Sequence, residues 1–217
     1  MSKNLRDIYT GVNKADPNRN TNDLYPTPPL ATYILCKYSN VPKKIVEPCA
    51  GKGNISVELR RNGHEVRNFD AFNYENSHDL ICTGQDVLTL PKQEGYEGLV
   101  TNPPYFQDLP RKILEKSLRD YDYTAMFVRL TFLEGIKRHK LFKENKPSQI
   151  IFLSDRIRFI NGSDVEPIEY HEQIGGMIAY MWLIFDKKTE TRETKLDWAL
   201  LRDEYPEWLK HYKEKLQ

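Results

Sequence analysis

The segment Val46-Glu47-Pro48-Cys49-Ala50-Gly51-Lys52-Gly53 narrows the possible folds more than any other part of the chain. Lys44-Ile45-Val46-Glu47 reads as a short buried strand that breaks at Pro48, and Asn54 to Arg61 reads as a helix ended by Asn62-Gly63. A strand that ends in a glycine turn and opens a helix sets backbone N–H groups beside a ligand. Glycine is needed there wherever a Cβ would block close approach or φ is positive. The turn carries half of a dinucleotide-binding fingerprint, because Ser56 stands where the third glycine would be. Taken alone, the pattern also fits an ordinary strand-to-helix turn.

The rest of the chain repeats this alternation. Strand patterns run over Glu65 to Phe69, Asp79 to Cys82, Gly98 to Thr101, Tyr123 to Leu130, Gln149 to Leu153 and Met177 to Phe185. Helical patterns run over Pro28 to Tyr38, with Thr27 as N-cap, over Leu109 to Asp120, and over Phe132 to Asn145. Strands alternating with helices predict an α/β fold, a mostly parallel sheet with helices on both faces. The 217 residues suffice for one such core. Residues 1–22 are polar and aperiodic and read as a flexible arm. Residues 187–217 read as a charged helical tail, with Trp198, Leu201, Trp208 and Leu209 on its apolar side and Pro206 splitting it.

Three carboxylates fall at strand ends. Glu47 suits a phosphate site poorly, since it repels pyrophosphate and attracts a cation. Asp70 follows it by 23 residues, near the ~20-residue spacing at which an acid binds a ribose diol. A strand-end Asp also caps turns, and that reading stands beside the first. Asp86, in Gly84-Gln85-Asp86-Val87-Leu88, is placed either to accept from an adenine amine or to hold a turn.

The second constellation is Leu99-Val100-Thr101-Asn102-Pro103-Pro104-Tyr105-Phe106. Two prolines after an asparagine at the end of an apolar strand make a rigid segment that leaves the ladder. It presents the Asn side chain and the Pro103 carbonyl at the sheet's carboxyl edge. An amino group conjugated to a ring is a poor nucleophile. Two acceptors for its N–H protons bias the nitrogen toward tetrahedral geometry and expose its lone pair. Tyr105 offers a face on which a planar base can stack.

At these residues the sequence resembles the class I S-adenosylmethionine-dependent amino-methyltransferases, in particular small, phage-type DNA adenine-N6 methyltransferases. Asn102-Pro103-Pro104-Tyr105 matches the (Asp/Asn/Ser)-Pro-Pro-(Tyr/Phe) motif of that family, and Glu47 to Gly53 is similar to its cofactor loop. Tyr25-Pro26-Thr27-Pro28 is similar to its Tyr-x-Thr-Pro segment, which closes over the methionine end of the cofactor. The resemblance implies a Rossmann-like, mostly parallel seven-stranded sheet whose last strand is antiparallel, within a methyltransferase domain over residues 23–186. It implies S-adenosyl-L-methionine as cofactor, whose sulfonium and ammonium suit Glu47. Cofactor contacts are implied for Tyr25, Thr27, Pro28, Glu47, Pro48, Cys49, Ala50, Gly51, Gly53, Asp70, Asp86 and Asn102. The implied catalytic set is Asn102, Pro103, Pro104 and Tyr105, and the implied activity is methyl transfer to adenine N6.

Substrate contacts are expected from Tyr105 and Phe106, and from Arg156 and Arg158, which lead into a polar insert, Asn161 to Gly175. Lys137-Arg138-His139-Lys140, with Lys143 and Lys146, forms a basic cluster that equally fits a solvated helix face. The formal net charge of +1 means that any polymer binding must be local. No separate DNA-recognition domain is evident, so specificity falls to loops. Nucleic acid is the expected partner, DNA ahead of RNA. RNA adenine-N6 methylation, protein-glutamine methylation and an inactive cofactor-binding module remain alternatives. Cys36, Cys49 and Cys82 are widely spaced, so neither a disulfide framework nor a metal site is expected. The polar N-terminal stretch and the short apolar runs point to a cytoplasmic protein that does not enter a membrane.

Overall fold

The computed structural model describes residues 24–75, 77–159, 167, 169–189 and 193–215. The expected arm over residues 1–22 and much of the insert after Asn161 lie outside the described residues. Seven strands form one sheet: β1 (Lys44–Glu47), β2 (Glu65–Asn68), β3 (Gly98–Thr101), β4 (Tyr123–Arg129), β5 (Gln149–Leu153), β6 (Tyr180–Asp186) and β7 (Lys195–Ala199). Their spatial order is β2-β1-β3-β4-β6-β5-β7. β6 runs antiparallel to both its neighbours, β4 and β5, and every other pairing is parallel.

The helices are α1 (Pro29–Tyr38), α2 (Asn54–Arg61), α3 (Leu109–Asp120), α4 (Ile136–Glu144) and α5 (Leu201–Lys215). The sheet separates two apolar layers, as the period-two alternation of a doubly covered strand requires. In β4, Ala125 and Phe127 point toward α1, α2 and α5, while Met126 and Val128 point toward α3 and α4. β6 is buried on both faces, and Trp182 locks it to α1 by donating Nε1–H to the Ala31 carbonyl at 2.7 Å.

The count of seven strands is reached differently from expectation. Asp79 to Cys82 is no strand: a single parallel bridge, Phe69 to Cys82, is all that forms there. The Asp79 side chain is instead drawn inward to Ser56, Asn68 and Arg60. The seventh strand is β7, inside the stretch read as a helical tail. It pairs with β5 from Gln149↔Lys195 to Leu153↔Ala199, leaving Trp198 64% exposed and stacked on Phe152 at 5.3 Å.

α5 then runs unbroken through Pro206. It buries Leu201 and Trp208 completely in the α1/α2 layer, and Trp208 Nε1–H donates to Glu58 at 3.2 Å. A large buried indole with a satisfied donor outweighs the one backbone hydrogen bond that proline removes. Thr27 is not the N-cap of α1. The helix begins at Pro29, so Pro28 is the N-cap and offers no side-chain hydrogen bond, while the Thr27 hydroxyl accepts from Asn102 instead.

Candidate active site

The glycine turn is built for close approach. Gly51 (φ +57) and Gly53 (φ +90) both lie in the left-handed region, and a Cβ on Gly53 would sit 2.9 Å from Asp79 Cβ. Ser56, in place of a third glycine, sets its hydroxyl 2.9 Å from Asp79 Oδ2, and Asn68 donates to the same oxygen at 2.7 Å. Asp79 therefore buttresses the turn from behind. Only the folded chain reveals that role, because no local pattern marks it.

Asp70 holds the turn from the front. Its Oδ2 accepts from Gly51 N–H at 2.8 Å and its Oδ1 from Phe72 N–H at 2.9 Å. The turn-capping reading of Asp70 is thus realised, and the same carboxylate also lines the cavity described next. Burial raises its carboxyl above the usual range, against the opposing pull of the Phe72 and Gly51 amides. Asp86 likewise holds a turn, with Oδ1 accepting from Leu88 N–H at 2.9 Å, and it too reaches the cavity wall.

A cavity of about 390 Å³ opens at the carboxyl ends of β1 and β3. Such a volume suits a small-molecule ligand. Tyr25 and Thr27 line the cavity, together with Glu47, Pro48, Cys49, Ala50 and Gly51. Asn102, Pro103, Pro104 and Phe106 close it. Phe72, Tyr74, Val87 and Leu88 add an apolar wall that the sequence reading did not include. An aromatic two residues beyond a strand-end acid was the available signal for Phe72.

Pro28, Gly53, Tyr105, Arg156 and Arg158 do not line the cavity. Gly53 acts one residue behind the wall, as the left-handed N-cap of α2.

Glu47 is only 1% exposed, and its Oε2 has no hydrogen-bond partner. Burial pushes its carboxyl well above the usual range, Ser56 hydrogen bonding opposes this, and the nearby Asp70 adds to it. Glu47 lines the cavity, and a buried carboxyl with an unpartnered oxygen favours a cationic or proton-donating group beside it.

Asn102 occupies the junction of the two motifs. Its Nδ2 donates to the Tyr25 carbonyl at 3.2 Å and to the Thr27 hydroxyl at 3.0 Å. A carbonyl can only accept, so the amide nitrogen must face Tyr25. Both Nδ2 protons are thereby used, and Oδ1 is the amide atom left to meet a ligand. Beyond the prolines, Gln107 (φ +50) and Asp108 (φ +62) hold left-handed backbone, and Asp108 accepts from Arg111 Nε at 2.7 Å.

Tyr105 has an intramolecular partner on one face of its ring. Its hydroxyl accepts from Arg129 N–H at 3.1 Å, and the Arg129 guanidinium lies over its ring, 4.4 Å from the centroid. One ring face is therefore already covered by a cation, at a distance where the quadrupole attraction is substantial. Arg129 had no motif to announce it. Arg156 and Arg158 flank the buried Ile157 and are both exposed on the opposite side of the strand-like segment. That segment pairs with the chain's return: Ile157 bridges Ile174, and Arg158 N–H donates to the Gln173 carbonyl at 2.8 Å.

Among solved structures, a candidate class I S-adenosylmethionine-dependent methyltransferase from Listeria monocytogenes superposes with a TM-score of 0.59 at 13% identity. The match covers 98% of this chain and 77% of that one. The methyltransferase subunit of a type I restriction-modification system from Streptococcus thermophilus gives 0.57 at 17% identity. There 88% of this chain is covered, and it spans 53% of that subunit's length. A candidate RNA methyltransferase from Pyrococcus horikoshii gives 0.53 at 15% identity, covering 85% of this chain and 99% of that one. The fold is that of the class I S-adenosylmethionine-dependent methyltransferases. No protein-family model and no curated protein matches the sequence.

Proposed function

We propose that the chain is an S-adenosylmethionine-dependent methyltransferase acting on the exocyclic N6 of adenine in DNA. The observation that carries this reading is the Asn102 side chain, with its nitrogen committed to Tyr25 and Thr27 and its oxygen left for a substrate. The residues present fit the cofactor. The buried Glu47 carboxyl on the cavity wall suits its ammonium, the positive-φ glycines admit its close approach, and Asp70 retains lone pairs for its ribose. When bound, S-adenosylmethionine supplies an electrophilic methyl group.

The chain's own residues prepare the nucleophile. Asn102 Oδ1 and the Pro103 carbonyl accept the two N–H protons of a target amine, which withdraws the nitrogen lone pair from ring conjugation. Held this way, the amine needs no tightly bound general base, since the methylated product is acidic enough to lose its proton to water. Catalysis comes from positioning and polar preorganisation. The base enters extruded from its stack, as bases do for enzymes that modify them. The similar fold of the type I restriction-modification subunit supports DNA, and that of the RNA methyltransferase marks the rival to test.

The test is incubation with labelled cofactor and separate pools of DNA, RNA and protein, followed by nucleoside analysis. N6-methyladenine in DNA is the expected product. Label confined to RNA or to protein would overturn the substrate assignment.

A further inference from the structure

The end of β4 brings a second feature to the catalytic edge of the sheet. β3 and β4 are parallel, with Thr101 paired to Met126, so Asn102 and Arg129 leave the sheet on the same side. The bond from Arg129 N–H to the Tyr105 hydroxyl stitches the catalytic loop to that strand end. A 3-10 turn, Leu130–Leu133, follows at once, and Gly135 (φ +110) then redirects the chain into α4.

The turn is fixed from within. Arg138 donates Nε–H to the Glu134 carbonyl at 2.8 Å, and its guanidinium covers Phe132 at 4.8 Å. On this pinned support Ile136 is 95% exposed and Leu133 37% exposed. Single exposed hydrophobes are commonplace. Here, however, helical spacing aligns Ile136 with His139, Lys140 and Lys143 on one outward face. α4 carries Lys137, Arg138, Lys140 and Lys143 against Glu144 alone, a local excess of cations in a chain whose total is +1.

We propose that this face docks a nucleic-acid duplex beside the target base, with Ile136 and Leu133 as the apolar wedge and Lys140 and Lys143 on the phosphates. The inference rests on the function proposed above. A polymer of phosphates is the partner that the lysines fit, and base steps are the part of it that an exposed isoleucine and leucine fit. Apolar side chains inserted at a base step unstack it, which lowers the cost of extruding the neighbouring nucleotide. The wedge therefore acts on duplex opening and leaves the chemistry at Asn102 untouched.

Ile136→Ala removes only exposed surface, so the fold is retained and the test is clean. Methyl transfer is measured on a duplex and on the same duplex with the target adenine mispaired. On the paired duplex the rate at saturating DNA falls by about tenfold, and the mispaired target restores it, because unstacking is cheaper there. Lys140→Ala with Lys143→Ala weakens duplex binding and lowers the salt slope by about two units. Equal rates for Ile136→Ala and the parent protein on both duplexes would overturn the wedge, as would an equal loss on both. A parent protein that methylates no DNA at all would instead remove the function on which the wedge depends, and the wedge with it.

Discussion

The two sides of the Asn102–Tyr105 loop are built in contrasting ways. On the cavity side, Gly51 N–H donates to Asp70 at 2.8 Å, Asn68 to Asp79 at 2.7 Å and Asn102 to the Tyr25 carbonyl at 3.2 Å, and Asp70 is only 6% exposed. On the side proposed to meet the target, Arg156, Arg158, Ile136 and Lys143 stand in solvent, and Tyr105 is held by a neighbouring arginine. Buried, mutually satisfied polar groups hold one geometry, since each broken bond leaves a costly orphan. Exposed cations and apolar tips adapt to a large flexible ligand at little cost. On the function proposed above, the difference teaches that the small ligand's site is preformed, whereas the contacts to the polymer fall to side chains that stand in solvent.

The largest effect should follow from breaking the junction between the two sides. Asn102→Ala removes the acceptor for the target amine and is expected to lower turnover by ~10²–10³. It also strands the Tyr25 carbonyl, so cofactor affinity should fall, but by no more than about tenfold. Asn102→Asp keeps an acceptor yet sets a carboxylate against that carbonyl, and should retain only a minor part of the rate. Single-turnover kinetics with parallel calorimetry separates the two effects. A folded Asn102→Ala protein with full turnover would defeat the assignment.

The preformed side is tested next at Gly53. Gly53→Ala places a Cβ against Asp79 in left-handed backbone. It should weaken cofactor binding by about tenfold or more while leaving salt-dependent DNA binding unchanged. Loss of both together, in a protein of unchanged circular dichroism, would erase the contrast.

Glu47 predicts a pH dependence confined to the cofactor side. Burial raises its folded-state pKa, so below that pKa the free protein holds a proton there which a cationic ligand displaces. Affinity should therefore rise with pH, by up to about tenfold per unit, until the medium passes that pKa. Glu47→Gln should flatten the profile. The linked change in stability has the opposite sign: the folded chain binds a proton that the unfolded chain has released, so the free protein loses stability as pH rises above the unfolded carboxylate range. Calorimetry in buffers of different ionisation enthalpy reads the proton released on binding, and no release would remove Glu47 from the ligand's environment.

The smallest effect is expected on the adaptable side. Replacing Arg156 and Arg158 together by alanine should reduce the salt slope of DNA binding by roughly one to two units, with cofactor affinity unaltered. An unaltered slope would move the phosphate contacts elsewhere on the surface.

Much of the framework was legible from the chain alone. The helix over Leu109–Asp120 was readable from its apolar periodicity and the strand at Gly98–Thr101 from its short apolar run, and the boundaries of both carry proline, glycine or aspartate. β7 was misread because Trp198 and Leu196 face solvent, so the strand shows no inward alternation to distinguish it from a helix. The Asp79 to Cys82 segment was misread in the other direction, since nothing local says that Asp79 turns inward.

By itself the sequence determined the features that backbone chemistry dictates locally: the positive-φ glycine turn after β1, the rigid Asn-Pro-Pro exit from β3, and the alternation that imposes an α/β sheet. Only the tertiary structure decided which partners those features meet. Asn102 is separated by 77 and 75 residues from the Tyr25 and Thr27 groups that orient its amide. The Arg129 guanidinium reaches the Tyr105 ring from the next strand, and Trp208 reaches Glu58 across 150 residues. Turns and helix ends are fixed by the dihedral preferences of a few adjacent residues, whereas pairings between distant side chains exist only once the sheet has set their separation.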